Sequence, residues 1–180
     1  MKIYIGGYEL PAHALVLASR SLYFEKALGE NFREGQTKQF HFEEKGRMHA
    51  HWRVFEYMYT GDYLEDAAQE LAGQDDDELV KDVRVYVTAD YFLMEDLKQH
   101  ALSRFKSKLR QLWVSDHIVD CIREIYMTTV GTEHELRNAV ADIAKEHRSE
   151  LWKKNAIRDL VHNGGDFAVE LMGKLCSDRY

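Results

Sequence analysis

The apolar residues of this chain repeat with two different periods, and the change from one to the other limits what it can fold into. Ile3 and Ile5 alternate with polar neighbours, as do Phe40 and Phe42 against Gln39, His41 and Glu43. A period of two is that of a half-buried strand. From Trp52 onward the spacing becomes three or four: Trp52, Phe55 and Tyr59; Leu79, Val83 and Tyr86; Leu97, Ala101 and Phe105; Val114, Ile118, Cys121, Ile122 and Ile125. That is the stripe of an amphipathic helix. The expected class is α+β, with a small mixed sheet from the N-terminal quarter and helices for the rest.

Local signals place the boundaries. Gly6-Gly7 between alternating stretches predicts a two-residue hairpin, which Pro11 stops. Residues 12 to 18 read as a helix, and Ser21 ahead of Leu22-Tyr23-Phe24-Glu25 reads as the N-cap of a second one ending near Leu28. Thr37 to Glu43 returns as a strand to the hairpin's sheet. Gly61 suits the left-handed position that closes the Trp52 helix. Thr132-Glu133-His134-Glu135 reads as a capping box opening a helix with Leu136, Val140 and Ile143. Helical segments over 151 to 161 and 167 to 175 flank Gly164-Gly165.

Charge is unevenly spread. The net charge is −7, yet residues 62 to 82 hold nine acids against Lys81 alone, which leaves +1 for everything else. With little apolar periodicity, 62 to 78 reads as a solvated loop or frayed helix that connects two packed elements and is dispensable for folding. Between Leu97 and Ser115 stand five bases and no acid: Lys98, Arg104, Lys106, Lys108 and Arg110. They form either a solvated helix face or a partner patch, and the acidic stretch is a candidate to pair with them. The slightly acidic total argues against general nucleic-acid binding. No apolar run reaches the roughly 18 residues of a membrane span, and the N-terminus is too short and polar for a signal peptide. The expectation is an intracellular protein, nuclear or cytoplasmic. Cys121 and Cys176 both read as small buried hydrophobes rather than a disulfide.

Several stretches together resemble the BTB/POZ domain: His13-Ala14-Leu15-Val16-Leu17, Ser21-Leu22-Tyr23-Phe24, the Phe40 and Phe42 strand, and Tyr57-Met58-Tyr59-Thr60-Gly61-Asp62-Tyr63. His13, Leu17, Ser21, Phe24, Tyr59 and Gly61 carry the structural signature. The resemblance covers residues 1 to 106, with an acidic insertion at about 62 to 78. Residues 107 to 180 follow as an all-α extension, similar to that of many fungal proteins of the family. Leu22 stands where members often have proline, and the family's usual Ser-Asp lead-in to the first strand is missing.

The resemblance implies protein–protein association without catalysis: a homodimer, and use as an adaptor for a cullin-3-type ubiquitin ligase. Phe32-Arg33-Glu34 resembles the hydrophobic-x-glutamate motif that engages a cullin, so Phe32 and Glu34, with Tyr63, are the candidate partner-binding residues. A transcription or chromatin scaffold using the basic 98 to 110 segment is the alternative. No cofactor or metal is expected. His49 and His51 are two apart, about 200° around a helix, and His117 with Cys121 makes only half of a zinc site. His13, at the start of a buried helix, reads as structural.

Overall fold

The computed structural model describes residues 1–29, 32–43, 46–71, 74–130 and 134–177. It divides into two compact units, Met1–Asp77 with Arg84–Ala101, and Glu78–Val83 with Leu102–Tyr180. Each is taken by itself below.

In the first unit, strands β1 (Lys2–Ile5) and β2 (Tyr8–Pro11) form the expected hairpin. Gly6 and Gly7 both take positive φ, which a turn of this length requires and glycine adopts without a Cβ clash. Pro11 is the last residue of β2 rather than the stop before it. Strand β3 (Gln39–Phe42) lies parallel to β1, giving the mixed sheet order β2-β1-β3.

Helix α1 (Ala14–Arg20) and helix α2 (Leu22–Ala27) are separated at Ser21, whose backbone is extended. Ser21 accepts from the Phe24 N–H at 3.2 Å and donates to the Phe92 carbonyl at 2.7 Å. A hydroxyl there satisfies an otherwise orphaned helix donor. Helix α3 (Arg33–Thr37) has five residues, too few for an apolar stripe to show in the sequence. Helix α4 (Met48–Thr60) ends on Gly61 at φ 81°. Helix α5 (Glu78–Tyr91) and helix α6 (Glu95–Leu112) follow.

The core of this unit is aromatic. Phe24 meets Phe40 at 5.0 Å and stacks on Phe92 at 5.1 Å between ring centroids, and Phe42 reaches Phe55 at 5.8 Å. Ile3, Ile5 and Leu17 are buried around them. The period-two residues of β1 and β3 thus face the helices while Tyr4 and His41 stack on the other side of the sheet.

The second unit contains helices α7 (Ile118–Thr128), α8 (His134–Glu146), α9 (Arg148–Leu151), α10 (Asn155–His162) and α11 (Asp166–Cys176). Helix α8 packs on α7 and α11. Cys121, Ile122, Ile125, Leu136 and Val140 are buried as the helical spacing required. Val114 lies outside α7 and is exposed, so it is not part of that stripe. Cys176 is exposed, which corrects the reading of both cysteines as buried; only Cys121 is. Thr132 and Glu133 of the capping box lie outside the described residues. The 151 to 161 segment is two helices joined by a turn at residues 152 to 154.

Candidate functional site

Helices α1 and α2 bury one residue each, Leu17 and Phe24. Their opposite side carries leucines where solvent would favour polar groups: Leu15 is 81% exposed and Leu22 55%. Sequence reading passed over both, although a signal was there. Leu15 sits two residues before Leu17, about 200° around the helix, so one of the two had to face away from the core. Exposed apolar side chains on neighbouring helices are candidates for association where they join into one patch.

The following connection leads to Phe32, the extended N-cap residue of α3. Its ring is 51% exposed, while Glu34, in the first turn, is half-buried. The two candidate residues are therefore brought together on one short element, the apolar one facing solvent. Tyr63 does not join them. It is 3% exposed and sets its ring against His100 at 5.6 Å, so it belongs to the core of its unit and offers nothing to a partner.

The other signature residues are structural, though not all in the expected way. His13 is exposed rather than buried, since α1 covers the core through Leu17 alone. The His13 N–H donates to the Tyr59 hydroxyl at 2.8 Å, and its Nδ1 lies 3.2 Å from the same oxygen. This ties the start of α1 to the end of α4. Within α2, burial and then the Tyr91 hydroxyl, which donates to Tyr23 at 3.3 Å, push the Tyr23 phenol above its ordinary range.

The acid-rich stretch departs most from its reading as a solvated loop. Its first half wraps around Arg53, a 2%-exposed residue of α4 that belongs to none of the sequence motifs. Arg53 donates to the carbonyls of Leu64 at 3.1 Å, Glu65 at 3.0 Å and Asp66 at 3.4 Å, and to the Asp75 carboxylate at 2.7 Å. Asp76 pairs with Arg84. Burial nonetheless pushes the Asp76 carboxyl above its usual value, against the pull of Arg84. Tyr63 and Leu71 are buried in the same segment. Of the nine carboxylates of the stretch, Asp75 and Asp76 pair with these two arginines, Glu78 with Lys81 and Asp82 with Lys108.

The basic run is similarly engaged. Lys98 pairs with Asp90 at 2.6 Å and lies over the Tyr86 ring. Within the second unit Lys108 meets Asp82 at 2.9 Å, and Arg104 meets it at 3.7 Å. Pairing of the acidic stretch with the basic run is thus present, through Asp82. Lys106 and Arg110 remain exposed.

Four observations now coincide: a β2-β1-β3 sheet under an α1–α2 pair, a Ser21 cap, a Tyr59–His13 tie and a Gly61 stop. A family model for the BTB/POZ domain matches residues 1–109. The chain belongs to the BTB/POZ family. BTB/POZ domains are non-enzymatic protein–protein interaction modules that bind protein partners and often dimerise. Comparison with curated proteins finds no match. Among the described residues no helix is long and apolar enough to cross a membrane.

Proposed function

We propose that this BTB/POZ chain acts as a homodimeric adaptor that carries a partner to a cullin-3-type ubiquitin-ligase scaffold. The observation that carries the reading is Phe32, an aromatic ring half open to solvent at the head of α3, two residues before Glu34. An exposed aromatic anchor beside a carboxylate is what a partner pocket selects, and such anchors dominate interface energetics. Leu15 and Leu22 supply the face for a second copy, an isologous contact that places the same leucines on both sides of a two-fold axis. The engaged state of Lys98, Arg104 and Lys108 leaves the chromatin reading without support.

Calorimetric titration of the purified chain with the N-terminal half of a cullin tests the adaptor reading. Binding in the micromolar range or tighter, weakened at least tenfold by Phe32→Ala with Glu34→Lys, is expected. No binding by the unmodified chain sinks it.

A further inference from the structure

In the second unit, α9, α10, α11 and the end of α8 enclose a groove of about 460 Å³. Its walls are apolar, with Leu151, Trp152, Ile157, Phe167, Leu171 and Met172 among the lining side chains. Trp152 is 53% exposed and Met172 55%. Aromatic residues and methionine are the side chains that interfaces favour over the rest of a surface. Phe167, Leu171 and Leu175 recur every four residues, so the groove follows α11 for about 12 Å, or two turns.

Charge limits what can lie there. Among the described residues Arg148 is the one charged group lining the groove, and it donates to the Lys145 carbonyl of its own turn at 3.1 Å. Arg158, next to Ile157, donates to the Trp152 carbonyl at 2.9 Å and also to the Lys153 carbonyl and the Asn155 side chain. Among the described residues neither guanidinium meets a carboxylate. The acids around them are engaged or turned away. Glu150 is held by Lys153, Asp142 by Lys174, and Asp166 and Glu170 by Arg137. Glu146 borders a different cavity, beside Lys106 and Arg110. Asp159 stands two residues from both Ile157 and Val161, which puts it on the opposite face of α10. The groove is therefore apolar within and positive at its rim.

The walls also decide the form of the occupant. They are helices, bonded internally along their length, and offer no ladder to an extended chain. A strand laid on them would lose water from its N–H and C=O groups without replacement. A helix carries its own backbone bonds. Two copies of the groove set face to face would fill neither and would bring like-charged arginines together.

We propose that this groove is a docking site for an acidic amphipathic helix of a partner protein. Apolar side chains at positions i, i+3, i+4 and i+7 of that helix enter between α10 and α11, and carboxylates on its flanks meet Arg148 and Arg158. Recognition of a helix in a groove depends on such anchors. The inference rests on reading the chain as a protein-binding module, but on neither Phe32 nor the leucine face.

The probe is a displayed library of helical peptides of about 18 residues, long enough to form in water. Its apolar positions vary among leucine, methionine and phenylalanine, and its flanking positions among glutamate, glutamine and lysine. Selection is on the full chain, and the most enriched peptide is synthesised and titrated by fluorescence anisotropy. Expected are glutamates on the flanks and binding weakened at least tenfold by Arg148→Glu with Arg158→Glu. Exchanging the peptide's glutamates for lysine restores binding to that double variant. Proline at the centre of the peptide abolishes binding and Trp152→Ala weakens it at least tenfold, whereas Phe32→Ala and Leu15→Asp leave it unchanged. No enrichment overturns the proposal, as does selection of lysine, or indifference to the flanking charge or to the proline. A dimer of the unmodified chain that Trp152→Ala disperses identifies a second copy as the occupant and overturns it too. Because the proline and the charge exchange are made in the peptide, misfolding of a variant cannot decide the result.

Discussion

The Ser21 hydroxyl joins two distant parts of the chain, accepting from the Phe24 N–H and donating to the Phe92 carbonyl 71 residues on. One small polar side chain thus caps α2 and anchors the end of α5 against it. Replacing it with alanine removes the cap and leaves a buried carbonyl unpaired. Ser21→Ala is expected to cost about 2 kcal/mol, read as a lower midpoint with unchanged slope in urea unfolding. A change within the error of the extrapolation would show that the bond to Phe92 contributes nothing.

Arg53 makes a stronger demand. It is a buried cation whose partners come from the acid-rich segment, and removing the partners of a buried charge costs about 3–5 kcal/mol. Deleting residues 66 to 77 is therefore expected to destabilise the first unit by that amount, contrary to the dispensable loop that composition suggests. Adding Arg53→Met to the deletion should recover part of the loss, since the stranded charge is gone. Thermal melts of the three proteins distinguish the outcomes: a deletion that melts with the unmodified chain would refute the role of Arg53.

In the second unit, burial and the Glu170 carboxylate hold the Tyr126 phenol far above its ordinary value of 10.0. Arg137 lies over the same ring at 4.5 Å and pairs with Asp166 and Glu170. The folded chain keeps this proton to higher pH than the unfolded chain, so the stability it contributes is full below pH 10 and lost as pH rises beyond it. Stability measured from pH 9 to 11 should fall less steeply for Tyr126→Phe than for the unmodified chain. Equal slopes would count against the account of this cluster.

Much of this was legible beforehand because the signals were local. The Gly6-Gly7 hairpin, the Ser21 cap, the Gly61 stop and the alternation of Phe40 and Phe42 each depend on a few neighbouring residues whose chemistry permits little else. What was not legible depended on long-range partners. Nothing near Arg53 in sequence announces that its guanidinium is buried, because its acceptors are backbone carbonyls 11 to 13 residues away and the Asp75 carboxylate 22 residues away. Tyr63 sits in a motif that looks available, yet it is buried, with the ring of the distant His100 set against it. Cys176 follows an apolar pattern on α11, yet ends on the exposed side. Of the site itself, Phe32 and Glu34 were readable as a short motif; the leucine face and the groove along α11 appear only when the helices are assembled.

The surface leucines bear on how the chain associates. Leu15 and Leu22 are exposed, so replacing both with aspartate should change folding stability by no more than about 0.5 kcal/mol each. The same change places four carboxylates in a self-complementary contact, where like charges are strongly unfavourable.

Sedimentation velocity of the full chain at tens of micromolar, with and without Leu15→Asp and Leu22→Asp, tests most directly whether this protein works by association. The account predicts a dimer for the unmodified chain and a folded monomer for the double variant. A monomer for the unmodified chain, or a dimer that both aspartates leave intact, would contradict it.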